Sequence, residues 1–271
     1  MAVLPHEFHL DRSLFNEGLY FELRDFWYGG VPVDSVAPDI SLLSRWWGLG
    51  ATKEERTAFD EECRTKFETT LQSIGPSYLS LPPFEDHERG ITNAEVLAAP
   101  FLAEVRSAQL EDEKHGAETL LSLIILLDQM TRNIYRDQEG LRLVYGHYDR
   151  LAIALLYGSL KFQPSPARHP LWKGKSAIQT WLSMPLIHDE YAPSLRLQAQ
   201  WLAALREECE ELGNRAEIMY VEKAEKAHAD HCAPIESFGR YPHRNGALGR
   251  ANTLEETEYL KTAETFGVKQ T

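Results

Sequence analysis

The sequence predicts an all-α protein. Apolar side chains recur at helical spacing, most clearly at Phe59, Cys63, Phe67 and Leu71, which share one helical face. No segment combines strict alternation with β-branched residues, so strands are not expected. About nine helices of moderate length joined by short turns favour stacked antiparallel helical hairpins.

The first helices are defined by their end signals. A broad apolar stripe over residues 14–26 predicts a helix that stops at Gly29, and Trp46 lies on a short helix that stops at Gly48. Thr52 then caps a helix with two glutamates in its first turn, which is expected to run to about residue 74.

Helical pattern continues along the rest of the chain with no change in composition, which predicts a single domain over 1–271 with an N-terminal helix extension over 1–25. Proline-rich stretches predict loops at 75–92 and 162–175. The remaining helices are expected at about 93–114, 116–136, 139–158, 176–191, 193–212, 214–233 and 253–266.

Composition narrows the class of protein. The 271 residues include 41 acidic and 28 basic side chains, and the net charge of −13 argues against a nucleic-acid binder. Three widely spaced cysteines are typical of reduced thiols. No leader or membrane span is visible, so a soluble, cytoplasmic protein is expected.

The segment 237–250 is the densest cationic stretch of the chain, and it is shaped by glycine and proline. Guanidinium groups bind oxyanions in a planar, bidentate way, so this loop predicts an anion-binding pocket for a carboxylate or phosphate. The alternative is that the arginines cap helices and pair with internal carboxylates. The polar residues of the loop that we assign to the pocket are Arg240, His243, Arg244, Asn245 and Arg250.

A second polar group comes after the apolar run 120–127, where Asp128, Gln129, Arg132 and Asn133 occupy neighbouring turns of one predicted helix. Polar residues directly after a buried run are not typical of plain surface. They predict either part of a ligand site or a buried Asp128–Arg132 pair that joins helices.

The third group lies after Pro185, which is expected to kink a helix just before His188 and Glu190. A histidine beside carboxylates is a candidate general acid or base, because a charged neighbour easily moves its pKa. The alternative is a histidine that only fixes packing.

Metal and cofactor chemistry has little support. His228 and His231 share one helical face, but two histidines without a further ligand motif are a weak metal signal. No serine-esterase, phosphate-loop or dinucleotide-binding motif is present. We therefore expect no metal and no cofactor.

These motifs resemble the DUF924 family, uncharacterised helical proteins of the tetratricopeptide-like superfamily. The resemblance covers nearly the whole chain, from about Phe26 to Phe266, and implies a tetratricopeptide-like right-handed array. Asp189 stands where the family usually has serine, and its charge is expected to raise the pKa of His188. The segments that carry the resemblance are Phe26–Gly29, Leu127–Arg136, Met184–Glu190, His231, Phe238–Asn245 and Leu248–Arg250.

Three functions compete for this sequence. The first is an enzyme that acts on a small anionic metabolite by acid–base chemistry, with His188, Glu190 and His243 as catalytic residues. The second is a non-catalytic small-molecule binder, and the third is a tetratricopeptide-like adaptor that grips a peptide. The sequence does not fix the reaction or the oligomeric state. Under the first two hypotheses the ligand-binding residues are Asp128, Gln129, Arg132, Asn133, His231, Arg240, Arg244, Asn245 and Arg250.

Overall fold

The computed structural model describes residues 2–263, and within that range the all-α prediction is confirmed. The one β feature there is a single bridge between Val3 and Leu79. The α-helices of this range are α1 (Glu17–Trp27), α2 (Ile40–Trp47), α3 (Lys53–Ser73), α4 (His87–Thr92), α5 (Ala94–Leu97), α6 (Ala99–Glu111), α7 (Glu113–Ile124), α8 (Thr131–Ile134), α9 (Gln138–Leu143), α10 (Asp149–Leu160), α11 (Ser176–His188), α12 (Ala192–Glu211), α13 (Arg215–Phe238), α14 (Asn245–Leu248) and α15 (Leu254–Tyr259).

Several helix ends agree with the predicted local signals. Thr52 caps α3 in a reciprocal capping box with Glu55. Gly48 ends α2 with a φ of 67°, a left-handed conformation that favours glycine. By contrast, α13 runs past the predicted end at residue 233 and through Pro234 before Gly239 stops it.

The predicted loops and the last helix differ in detail from the structure. The segment 75–92 ends in the short helix α4, and 162–175 contains two 3₁₀ turns, Pro166–Arg168 and Pro170–Trp172. The helix predicted at 253–266 is observed as α15, and residues 264–266 lie outside the described range.

Two predicted helices are interrupted by a wide π-helical turn, which the sequence did not indicate. The turn Ile125–Met130 lies between α7 and α8, and the turn Val144–Tyr148 lies between α9 and α10. Such turns widen the helix locally and are frequent at functional sites. Both of them border the predicted polar site.

One cluster of buried side chains extends from Leu10 to Tyr241. Its aromatic centre is Trp181, which packs edge-to-face on Trp27 and Trp46 with ring centroids 5.0 and 5.2 Å away.

That residues 1–271 form a single domain stays a prediction. Between residues 2 and 263, no helix is both long and apolar enough to cross a membrane.

Helix α11 brings the polar motifs together. It packs against α7, α10, α12 and α13, and also against the first π-helical turn. Its buried length carries Pro185, and its last residue is His188. The end of α11 therefore places His188 beside the carboxylate that the π-helical turn supplies.

Candidate functional site

The centre of the site is a histidine–carboxylate pair. Asp128 lies in the first π-helical turn and is fully buried, although Leu120–Leu127 before it supplies only apolar side chains and one serine. Its Oδ1 is 2.7 Å from Nδ1 of His188. The amide of Gln129 donates to Oδ2 of the same carboxylate. The histidine and the carboxylate predicted on separate helices are thus in direct contact.

Burial and charge set the protonation of this pair. Burial alone would raise the pKa of Asp128, but His188 and Arg132 outweigh it and hold that pKa below its ordinary value. Burial, and then the charge of Arg132, lower the pKa of His188. At neutral pH the pair is therefore a carboxylate and a neutral imidazole.

Asp189 does not act on His188 as expected. Its carboxylate lies 2.5 Å from Nδ1 of His87 and accepts a hydrogen bond of 2.6 Å from Ser194. The predicted rise in the pKa of His188 is wrong, because Asp189 binds a different histidine and burial dominates at His188.

Arg132 extends the network to a residue that the sequence reasoning missed. Its guanidinium binds both oxygens of Asp149, at 2.6 and 3.0 Å, and lies 3.7 Å from Asp128. Asp149 comes directly after the second π-helical turn. The predicted Asp128–Arg132 pair exists, but the shorter bond joins two helices.

Arg244 completes this chain of charges. It is only 5% exposed, and its Nη1 lies 3.5 Å from Asp149. Its guanidinium carbon lies 4.4 Å from the ring centroid of Tyr145 and 4.8 Å from that of Tyr241. Two aromatic rings and a carboxylate therefore hold Arg244 as a buried cation, which Asp149 and Arg132 connect to the histidine–carboxylate pair.

The other two loop arginines agree with the alternative interpretation. Arg240 binds both oxygens of Glu256, and Arg250 binds both oxygens of Glu190. Because these bidentate donors are already occupied, the prediction that all three arginines hold one ligand does not fit the geometry. Glu190 also accepts the Tyr241 amide at 2.6 Å, so it anchors the loop to the end of α11.

Unsatisfied polar atoms concentrate in the same loop. Three buried side-chain atoms without a hydrogen-bond partner belong to residues 244–250, namely Nε of Arg244, Oδ1 of Asn245 and Nε of Arg250. Buried polar groups are normally paired, so such a cluster requires an explanation. A ligand with both donors and acceptors would supply one.

The remaining predicted residues lie around this network. Burial lowers the pKa of His231 to about 4 and that of His243 to about 3, so both are neutral at physiological pH. The ring centroids of His231 and His243 are 5.8 and 5.5 Å from that of Tyr241. Asn133 donates to the Gln129 carbonyl and accepts from Arg136, so these side-chain bonds are with its own stretch of chain.

No metal-ligand group exists in the part of the chain described: within 2–263, no three histidine, cysteine or acidic side chains converge as a metal would require. His228 instead pairs with Gln198 and Cys232.

Two open cavities, of about 560 and 370 Å³, are lined by residues outside this network of charges. The network itself reaches solvent at the edges of His188, Arg132 and Arg250, whose side chains are 15, 21 and 25% exposed.

Fold and site together define an all-α protein whose helix ends converge on a buried network of charges. Over residues 23–264 the chain matches the family described as bacterial protein of unknown function, DUF924. The chain belongs to that family. No curated protein and no solved structure matches it significantly.

Proposed function

We propose that the protein binds a small anionic metabolite beside Arg244 and acts on it through His188 as a general base. The observation that carries this proposal is the continuous path of contacts His188–Asp128–Arg132–Asp149–Arg244, which connects an oriented imidazole to a buried cation.

The geometry of His188 suits proton abstraction. Because Asp128 is ionised, it accepts the proton of Nδ1, and the basic lone pair of the neutral ring is then on Nε2. Among residues 2–263, no side chain or carbonyl forms a hydrogen bond with Nε2. A base must reach its substrate in this way, and a carboxylate behind the ring stabilises the imidazolium that forms.

Arg244 suits recognition of the anion. Its Nε atom has no partner, and its aromatic neighbours restrict the guanidinium without using its donors. Glu190 and His243 were predicted as catalytic residues. In this proposal Glu190 positions the loop through Arg250, and His243 lies behind Tyr241 as a neutral neighbour.

The adaptor function remains the alternative, together with the predicted tetratricopeptide-like array. An adaptor needs a groove lined by equivalent residues of successive hairpins. We use the name Asp128 network for Asp128, Arg132, Asp149, His188 and Arg244 together with the neighbouring Glu190–Arg250 pair. Its polar groups instead come from single, unrelated positions in the first π-helical turn, α8, α10, the end of α11 and the loop after α13. This favours a localised small-molecule site.

The test is a thermal-shift panel of phosphorylated and carboxylated metabolites, run on wild type, Arg244→Gln and Arg206→Gln. Arg206 is the matched control, because it is also partly buried and ion-paired, with Glu225 and Glu222, but contacts none of the residues of this path. A ligand at a hundred times its Kd stabilises the native state by about 2.7 kcal/mol. We expect a hit to be lost in Arg244→Gln and kept in Arg206→Gln.

Turnover of that hit is then measured with His188→Gln. Loss of turnover with binding retained supports the base, and retained turnover removes His188 from the mechanism. A wild-type protein that responds to no anion contradicts the proposal as a whole.

A further inference from the structure

A second candidate site is a cavity lined by residues of α2 and α3. It has a volume of about 560 Å³ and opens between α2, α3 and the turn after α1. None of the residues of the Asp128 network lines it. Its charged side chains are Asp39, Arg45, Glu55, Arg56 and Glu62, with Phe59 beside them.

Arg45 is held rigidly at the wall of this cavity. Its guanidinium carbon lies 4.4 Å from the ring centroid of Phe26 and 4.8 Å from that of Phe59. Its Nε donates to the Phe26 carbonyl at 2.8 Å. Within residues 2–263, no carboxylate pairs with it, and its two terminal nitrogens form no hydrogen bond. The aromatic contacts and the Nε bond therefore fix the group and leave its paired donors unused.

Arg56 is the second unpaired cation. One terminal nitrogen donates to the Arg45 carbonyl at 3.4 Å, and no described carboxylate lies within ion-pair distance. The side chain crosses Gly48 so closely that a Cβ there would lie 2.6 Å from Cδ of Arg56. The absence of a Cβ at Gly48 therefore leaves room for the Arg56 side chain.

The acidic side chains of the cavity fall into two kinds. Asp39 accepts the Leu42 amide as the cap of α2, and Glu55 accepts the Thr52 amide in the capping box of α3. Both carboxylates are thus used by their helices. Glu62 has no hydrogen bond or ion pair in the described part of the chain, although its charge acts on Arg45.

Two cations and one carboxylate therefore face one cavity without neutralising each other. From this we infer that the cavity binds a small zwitterion of the α-amino acid class. Its carboxylate binds Arg45 and Arg56, its ammonium group lies toward Glu62, and its side chain contacts Phe59. A simple anion suits the wall less well, because the lining holds three carboxylates and two arginines.

The inference is independent of the proposed function, and its test uses different ligands. Each amino acid of a panel is titrated calorimetrically beside two analogues, the acid that lacks the amine and the amine that lacks the carboxylate. We expect an amino acid to bind and both analogues to bind at least about tenfold more weakly, as loss of a charged hydrogen-bond partner implies.

Three variants locate the site. Arg45→Gln and Glu62→Gln are expected to weaken binding by about tenfold or more. Glu61→Gln is the matched control, because Glu61 is adjacent to Glu62 but pairs with Arg64 at 3.6 Å and does not line the cavity. It should leave the affinity within about twofold. Glu62 is exposed, so its variant stays informative if Arg45→Gln does not fold.

Four results would overturn the inference. They are a wild-type protein that binds no amino acid, an acid analogue that binds as tightly as the amino acid, equal losses in Glu61→Gln and Glu62→Gln, and loss of binding in Arg244→Gln. The last would place the ligand at the Asp128 network. Failure of the metabolite panel at Arg244 has no bearing on these measurements.

Discussion

Arg132 and Arg250 each bind a carboxylate with two nitrogens, whereas Arg45 and Arg56 bind backbone carbonyls and lie against rings or a glycine. The first pair belongs to the Asp128 network. The second pair lines the cavity between α2 and α3, which we call the N-terminal cavity. Residue type does not separate the two regions, since arginine and carboxylate occur in both. The difference teaches that partners decide whether an arginine holds the fold together or remains available to a ligand.

Lowering the pH should produce the largest difference in stability between the two regions. Burial lowers the pKa of His147, His231 and His243 to about 4, 4 and 3, against an ordinary value of 6.5. As the pH falls below 6.5 the unfolded chain takes up protons and the native protein does not. Stability is therefore complete above pH 6.5 and decreases by up to about 1.4 kcal/mol per pH unit for each histidine.

Denaturation from pH 7 to 5 measures this slope. His147→Gln should reduce the slope of stability against pH by the equivalent of about one bound proton. His6→Gln, at an exposed position, should not change this slope. Hydrogen exchange should show residues 241–250 losing protection before residues 40–60, because the N-terminal cavity has no histidine in its lining. Simultaneous loss in both regions would contradict this order.

Removing the buried carboxylate should have the next largest effect. Asp128→Ala leaves Arg132 with one carboxylate and His188 with none, and we expect a loss of about 3–5 kcal/mol in the free energy of unfolding. Urea denaturation measures it. Glu85→Ala removes an exposed carboxylate from Arg89 and should not change stability measurably. Equal effects would show that the network is no more than surface charge.

Arg250→Ala should lower the free energy of unfolding by about 2 kcal/mol, which is less than Asp128→Ala. The reason is that Glu190 keeps the Tyr241 amide as a partner after the arginine is lost. The same denaturation experiment applies, with Arg89→Ala as its control, because Arg89 pairs with Glu85 at the exposed surface. A loss as large as that of Asp128→Ala would mean that Glu190 depends on Arg250 alone.

Arg45→Lys should have the smallest effect, about 1 kcal/mol, because lysine keeps the charge but loses the planar contact with Phe26 and Phe59. Arg215→Lys at the exposed start of α13 is the control. If Arg45→Lys destabilised the protein as much as Arg250→Ala, Arg45 would be structural and the contrast between the regions would disappear.

Local chemistry explains what the sequence predicted well. The Thr52 capping box, the stop at Gly48 and the spacing from Phe59 to Leu71 each depend on residues within one or two turns, and α2 and α3 appear where expected. The π-helical turns leave no such signal, because an i→i+5 bond depends on what packs around the helix.

The candidate site shows the same division. The motifs identified Asp128 and His188, which form a hydrogen bond, and the loop arginines, but not the partners Asp149 and Glu256. Spacing along one helix suggested Asp128 as the partner of Arg132, whereas the bidentate partner comes from a later helix. Pairing across the fold is not encoded in sequence spacing, so the sequence could not show which arginines are already neutralised.

The turn Ile125–Met130 gives this region an unusual sensitivity to chain length. Each residue of a helix rotates the next side chain by about 100° around the helix axis. Because the wide turn already absorbs an extra residue, one further insertion between it and Arg132 would rotate Arg132 away from Asp149, although every charged side chain remained present. In this segment insertions and deletions should be far more damaging than substitutions of the apolar residues around Asp128.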